Sequence, residues 1–289
     1  MIRITSLYQY KNHIDSIKQK YNYDWSNIHL LYRGHSLDSY EILPTIARGS
    51  LTNSEILNLE NRLLAGLKNQ ISGNLLGSVK IHLPIFTNDY LEDWYLQFQA
   101  RHLEIPSRLI DWSMDEFTAL FFALNNNKHF GFDGHVWVYP SLINPSNANG
   151  DPKLIERLSN EYLHLNAGEN HKNILSKIDP LNPDRITLVH NSYIIDEWPL
   201  QIAERRRASQ HGKFIVKPNN QILSPLNKNL IGLFMEKIII DGNSKKAIYS
   251  NLLNEYNFEE ERVLPPIPED TKKIINKIIL DANTYIPNS

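Results

Sequence analysis

Two places in this chain concentrate side chains able to hold or transform an anion. The first is Arg33, at the end of the apolar run Ile28-His29-Leu30-Leu31-Tyr32-Arg33-Gly34. An arginine beside core-facing neighbours is unusual unless it holds a carboxylate or phosphate, which its planar fork of N–H donors suits. The second is the stretch Gln99 to Ser113, where Gln99, His102, Arg108 and Asp111 stand between two apolar segments. Unpaired buried charge is costly, so these groups either pair with one another or meet a ligand. An Arg108–Asp111 ion pair is the structural alternative to a binding role.

His35, His102, His135 and His211 each fall beside one of the motif-like stretches. Two imidazoles and an arginine suffice for acid–base cleavage of a phosphodiester. No H-E-x-x-H or comparable ligand spacing occurs, which sets metal chemistry aside as the leading expectation.

The elements that must carry these residues follow from periodicity. Leu91, Trp94, Tyr95 and Phe98 recur at helical intervals, so a helix precedes the polar turn, with Pro106 as its stop. Ser113 and Glu116 have capping-box spacing, and Phe117 to Leu124 is apolar nearly all round, which predicts a buried central helix. Residues 28–34 read as a strand, with Leu31 and Arg33 on one face and Leu30 and Tyr32 on the other. Further helices are expected over 13–21, from the Thr52–Glu55 capping box through Ile71, over 153–166, from Pro199 to His211 with Gly212 as C-cap, from a Ser244 cap to Tyr256, and over 272–279. On the second of these, Glu60 is within reach of Arg33 or Arg48. Strands are expected at 134–139, stopping at Pro140, at 186–190, at 214–216 and at 238–241. Helices and strands alternate without βαβ regularity. The expected class is α+β, a single domain over 1–289 with a mixed or largely antiparallel sheet and a surface insertion at 141–184.

Composition narrows the function classes. Thirty Lys and Arg against thirty-two Asp and Glu leave a net charge of −2, with no global basic excess to draw in nucleic acid. There is no cysteine, hence no thiol nucleophile and no Cys-ligated zinc. No apolar run reaches the ~18–20 residues of a membrane span, and the N-terminus lacks a signal-peptide core. A cytoplasmic protein is expected. The twelve glycines form no P-loop or dinucleotide fingerprint.

Four blocks, taken together and in order, resemble the FRG domain family of bacterial proteins. They are Tyr32-Arg33-Gly34-His35-Ser36, Leu43-Pro44-Thr45 with Arg48, Gln99 through Ser113, and Arg206 to Phe214 with Gln210, Gly212 and Phe214 in Q-x-G-x-F spacing. The chain departs from the family pattern at Arg101, at Glu104, where glycine is frequent, and at Ser107. The motif order is in turn similar to that of ADP-ribosyltransferases and of NAD-consuming toxins. What the resemblance implies is an enzyme cleaving an N-glycosidic bond, an NAD hydrolase or ADP-ribosyltransferase of toxin or phage-defence type. In that expectation Arg33, His102, Asp111 and Gln210 are catalytic. Tyr32, Gly34, His35, Ser36, Gln99, Arg108, Trp112, Gly212 and Phe214 bind the ligand, with Arg33 and Arg108 on the phosphates and Trp112, Tyr32 or Phe214 stacking on a base. NAD is expected as substrate rather than as a tightly bound cofactor. Partners expected are a protein or nucleic-acid acceptor and an antitoxin or regulator. A metal-independent ribonuclease and a non-catalytic nucleotide-binding module are the competing classes.

Overall fold

In the computed structural model, the described residues are 1–20, 28–81, 83–86, 88–142, 162–164, 174–189, 212–228, 235–256, 258 and 260–284. They build one eight-stranded mixed sheet. Its strands are β1 (Ile2–Ile4), β2 (Ile28–His35), β3 (Ile110–Ser113), β4 (Gly134–Leu142), β5 (Tyr162–His164), β6 (Ile186–Val189), β7 (Gly212–Val216) and β8 (Glu236–Ile240). The spatial order is β1-β8-β4-β2-β3-β7-β6-β5. Only the two outermost pairs, β1 with β8 and β5 with β6, are parallel. The helices are α1 (Leu7–Lys20), α2 (Asn53–Ser72), α3 (Asp89–His102), α4 (Glu116–Leu124), α5 (Lys245–Glu255), α6 (Glu260–Val263) and α7 (Glu269–Asn283). The α+β expectation holds.

Alternation along the strands sorts the core. Leu30, Tyr32, Val136 and Val138 face α1, α4 and α5, forming one apolar cluster. Asp111 stands opposite Phe214 in the β3–β7 register, and Phe214 and Val216 carry the same sheet face on to a second cluster under α2, α3 and α7. Leu31, Ile110, Trp112, Tyr139, Leu188 and Ile215 point to the other face and form a third. Two groups of helices thus share one side of the sheet, and their boundary runs over β2 and β3.

Several local expectations need correction. α4 is capped by Asp115, whose carboxylate accepts from the N–H groups of Phe117 and Thr118 at 3.1 Å, while the Ser113 hydroxyl receives the N–H of Asp115. The Ser244 hydroxyl does not cap α5; it turns back to Asp241. Residues 110–113, read as part of a turn, form β3, and residues 2–4 form β1. β4 runs on through Pro140, which stands opposite Leu30 of β2, while the described pairing of β4 with β8 spans residues 134–138. Residues 162–164, expected to be helical, are the edge strand β5, and most of the stretch 141–184 expected as a surface insertion lies outside the described residues. The predicted helix from Pro199 to His211, with Gln210 in it, lies outside the described residues.

Candidate functional site

β2 and β3 register at a single pair, Tyr32 with Ser113. One residue further along β2 the Arg33 side chain takes the place of a backbone donor. Its Nη1 donates to the Asp111 carbonyl at 2.5 Å and to Asp111 Oδ1 at 2.9 Å. The two strands are therefore parted, and a cleft of about 830 Å³ opens over the gap. α3 supplies Arg101 and His102 to its walls, α4 supplies Thr118, Ala119 and Phe122, and the loop after β2 supplies Tyr40 and Arg48.

Asp111 is the electrostatic centre. Its Oδ1 also accepts from Arg101 Nη2 at 2.9 Å and Nε at 3.2 Å. Burial works to raise its pKa, but the charges of Arg101 and Arg33 outweigh it and hold the carboxyl well below the usual range. It is an anion that two guanidiniums share. Arg48 lines the cleft from its exposed rim and donates to the Leu43 carbonyl at 3.4 Å. Partial burial, then the charge of Arg33, lower its pKa to about 10, so it stays charged at neutral pH. Two guanidiniums thus pair with one carboxylate in the interior of the cleft, and a third, that of the exposed Arg48, lines the same cleft. Two further carboxylates lie at its exposed rim: Glu41, paired with Lys228, and Glu104.

Arg33 is held from behind. Its Nε donates to His35 Nε2 at 3.0 Å, which places the remaining imidazole proton on His35 Nδ1, facing His135 Nε2 at 3.0 Å. His135 Nδ1 in turn faces Asp38 at 3.3 Å, and Lys237 closes the chain at 2.7 Å from the same oxygen. Burial, then Arg33 and His135, depress the His35 pKa to about 2. A neutral imidazole with both nitrogens engaged orients the arginine rather than exchanging protons with a ligand. His35 and His135 therefore do not supply the pair of exchangeable imidazoles that phosphodiester cleavage needs.

The loop carrying Arg48 is pinned to the α3–β3 connection. Thr45 Oγ1 donates to the Ser107 carbonyl at 3.1 Å and accepts from the Ser107 N–H at 3.0 Å. Arg108, expected on the phosphates or paired with Asp111, is buried elsewhere. Its guanidinium is paired with Glu60 of α2, Nε reaching both carboxylate oxygens at 2.9 Å, and Nη1 donates to Asn219 at 2.9 Å. Glu60 accordingly reaches Arg108, not Arg33 or Arg48.

The remaining expected site residues divide. Arg33, His102 and Asp111, with Ser36, His35 and Gly34, do meet in the cleft. Ser36 is engaged there, its hydroxyl 2.8 Å from His129 Nδ1. Gly34 is required by packing: a Cβ there would lie 1.8 Å from the Ala119 carbonyl oxygen on α4. Gln99 is fully buried outside the lining, and Gly212 pairs with Ser113 within the sheet. Tyr32, Trp112 and Phe214 border the cleft but are only 2–3% exposed, too covered to stack on a base.

Sequence reasoning assigned no site role to Arg48, Arg101 or Tyr40. Arg101 carried one available signal, because it replaces the residue that the family pattern places before His102.

Glu104, another departure, has a structural cost. α3 ends in a Schellman motif: the Ile105 N–H bonds to the Ala100 carbonyl at 2.9 Å and the Glu104 N–H to that of Arg101 at 3.3 Å. Glu104 occupies the left-handed position with φ 61°, where glycine carries no Cβ penalty. Glu104→Gly is expected to stabilise the protein by about 1 kcal/mol, measured by urea unfolding. A loss of stability would contradict this account.

Residues 28–131 match the FRG domain family model, which covers β2 through α4 and ends before the Gln210–Phe214 block. No match is found among curated proteins or solved structures.

Proposed function

The chain belongs to the FRG domain family through residues 28–131, and from that premise we propose that the cleft binds a phosphate-bearing nucleotide, NAD foremost, and cleaves its N-glycosidic bond. The observation that carries this reading is the convergence of Arg33 and Arg101 on the interior carboxylate of Asp111, in a cleft that Arg48 also lines. A volume of about 830 Å³ falls within the usual range for small-molecule pockets.

In this reading Arg48 and the outward N–H groups of Arg33 and Arg101 hold the pyrophosphate, the role the sequence assigned to Arg33 and Arg108. The bond from ribose C1′ to the nicotinamide nitrogen breaks with its electron pair going to the nitrogen. The oxocarbenium-like ribose is stabilised by the fixed anion of Asp111. Water adds to C1′, and its proton passes to His102 on the cleft wall. With an acceptor side chain in place of water, the same steps give ADP-ribosyl transfer. An enzyme that depletes NAD would be toxic to its own cell, which favours a toxin or phage-defence effector kept in check by an antitoxin-type partner.

Purified protein incubated with NAD is expected to release nicotinamide. Arg48→Ala is expected to bind NAD about tenfold more weakly, the effect of removing a charge-assisted contact. The reading fails if wild-type protein neither binds nor consumes NAD. RNA cleavage dependent on His102, without NAD turnover, would put the ribonuclease in its place.

A further inference from the structure

Nucleotide recognition needs a surface for the base as well as an anion site. The aromatic residues that the sequence offers for this are buried, yet one ring that it did not offer lines the cleft. Tyr40 is 47% exposed and belongs to the lining. We propose that Tyr40 is the base platform of the cleft, taking the nucleobase of a ligand whose phosphate lies on Arg48. This rests on the nucleotide reading above and assigns that site its second subsite.

The ring is held rather than loose. The turn from Leu37 to Tyr40 closes by the Tyr40 N–H donating to the Leu37 carbonyl at 3.2 Å, and the Asp38 N–H anchors it to the Asp133 carbonyl at 2.8 Å. The phenol makes T-shaped contacts with His35 at 6.2 Å and His129 at 6.0 Å between ring centroids. Both imidazoles are fixed in turn, His35 by Arg33 and His135, and His129 by Ser36. A preordered aromatic ring loses little entropy when a base stacks on it.

Position supports the pairing with phosphate. Tyr40 and Arg48 stand on the same loop after β2 and line the same cleft. The other half-buried aromatic in the lining, Phe122, stands among Ala119 and Leu264 on the α4 side. Stacking is tolerant of base identity, so the platform selects a base without specifying which one.

AMP and ribose 5-phosphate differ by the base alone, and inorganic pyrophosphate reports the anion site. Calorimetric titration of the full chain is expected to show AMP binding about tenfold more tightly than ribose 5-phosphate, the size of one base–aromatic stack. Tyr40→Ala removes that advantage and leaves pyrophosphate affinity unchanged, whereas Tyr40→Phe keeps it. Arg48→Ala weakens all three ligands together. Equal affinity of the wild type for AMP and ribose 5-phosphate, or an advantage that survives Tyr40→Ala, overturns the platform while leaving the anion site standing. Failure of pyrophosphate, AMP and NAD alike to bind overturns the nucleotide reading and the platform with it.

Discussion

Replacing Glu60 by alanine is expected to destabilise the fold by about 3–5 kcal/mol, the range for removing one partner of a buried ion pair. Glu60 and Arg108 are each only 1% exposed. The carboxylate receives Arg108 and also the Gln97 amide at 2.7 Å. Without it the Arg108 cation keeps, among the described residues, only Asn219 as a side-chain acceptor in a volume lined by apolar residues. The cost comes from the stranded charge and not from the intrinsic strength of the pair. The double replacement Glu60→Leu with Arg108→Met should therefore recover part of the loss, since it leaves no buried charge stranded and deprives only the neutral Gln97 amide of this acceptor. Urea unfolding of the two variants separates these effects. A loss below 1 kcal/mol for Glu60→Ala would show that the pair is solvated in solution. Arg108 precedes β3, and the neighbouring Ser107 holds the loop of Arg48, so the same variant should also loosen the cleft.

Gly34→Ala is expected to cost more than about 3 kcal/mol, or to prevent folding, at the upper end of overpacking effects. Its Cβ would lie 1.8 Å from Ala119 O and 2.8 Å from the Ala123 N, both backbone atoms of α4 that cannot rotate aside. Relief requires α4 to lift from β2. That movement would shift Thr118, Ala119 and Phe122 on one wall of the cleft. Reduced yield of soluble protein, or a thermal midpoint far below the wild type, is the measurable result. A wild-type midpoint would mean that the helix and strand do not approach as closely as described. Gly49→Ala is the matched control, because a Cβ there meets nothing within 4 Å.

These two residues were visible in the sequence, but the contacts that make them costly to replace were not. Glu60 sits on the amphipathic helix expected after the Thr52 capping box, and that box is present. Its partner could not be read, because forty-eight residues separate it from Arg108 and no local pattern encodes such a contact. Gly34 was read as part of a binding motif, while its demand comes from a helix more than eighty positions away. A short strand such as β3 escapes detection for a related reason. Four residues give too little periodicity, and an aspartate among them suggests a turn.

The sequence by itself determined the elements whose side chains repeat at a regular spacing: α2, α3, α4 and the strands β2, β6 and β7. Hydrophobic period and local capping are properties of neighbouring residues, so they need no knowledge of the fold. It also determined the faces of β2, with Leu31 and Arg33 together, and the grouping of Arg33, His102 and Asp111 as members of one site. The tertiary structure alone decided the partners of each charge. Arg108 and Arg101 are seven residues apart at the same polar turn, with the same long side chain and the same charge. One is drawn into the core by Glu60 and the other into the cleft by Asp111. Coulombic pairing depends on distance through space, and only the packed fold fixes that distance.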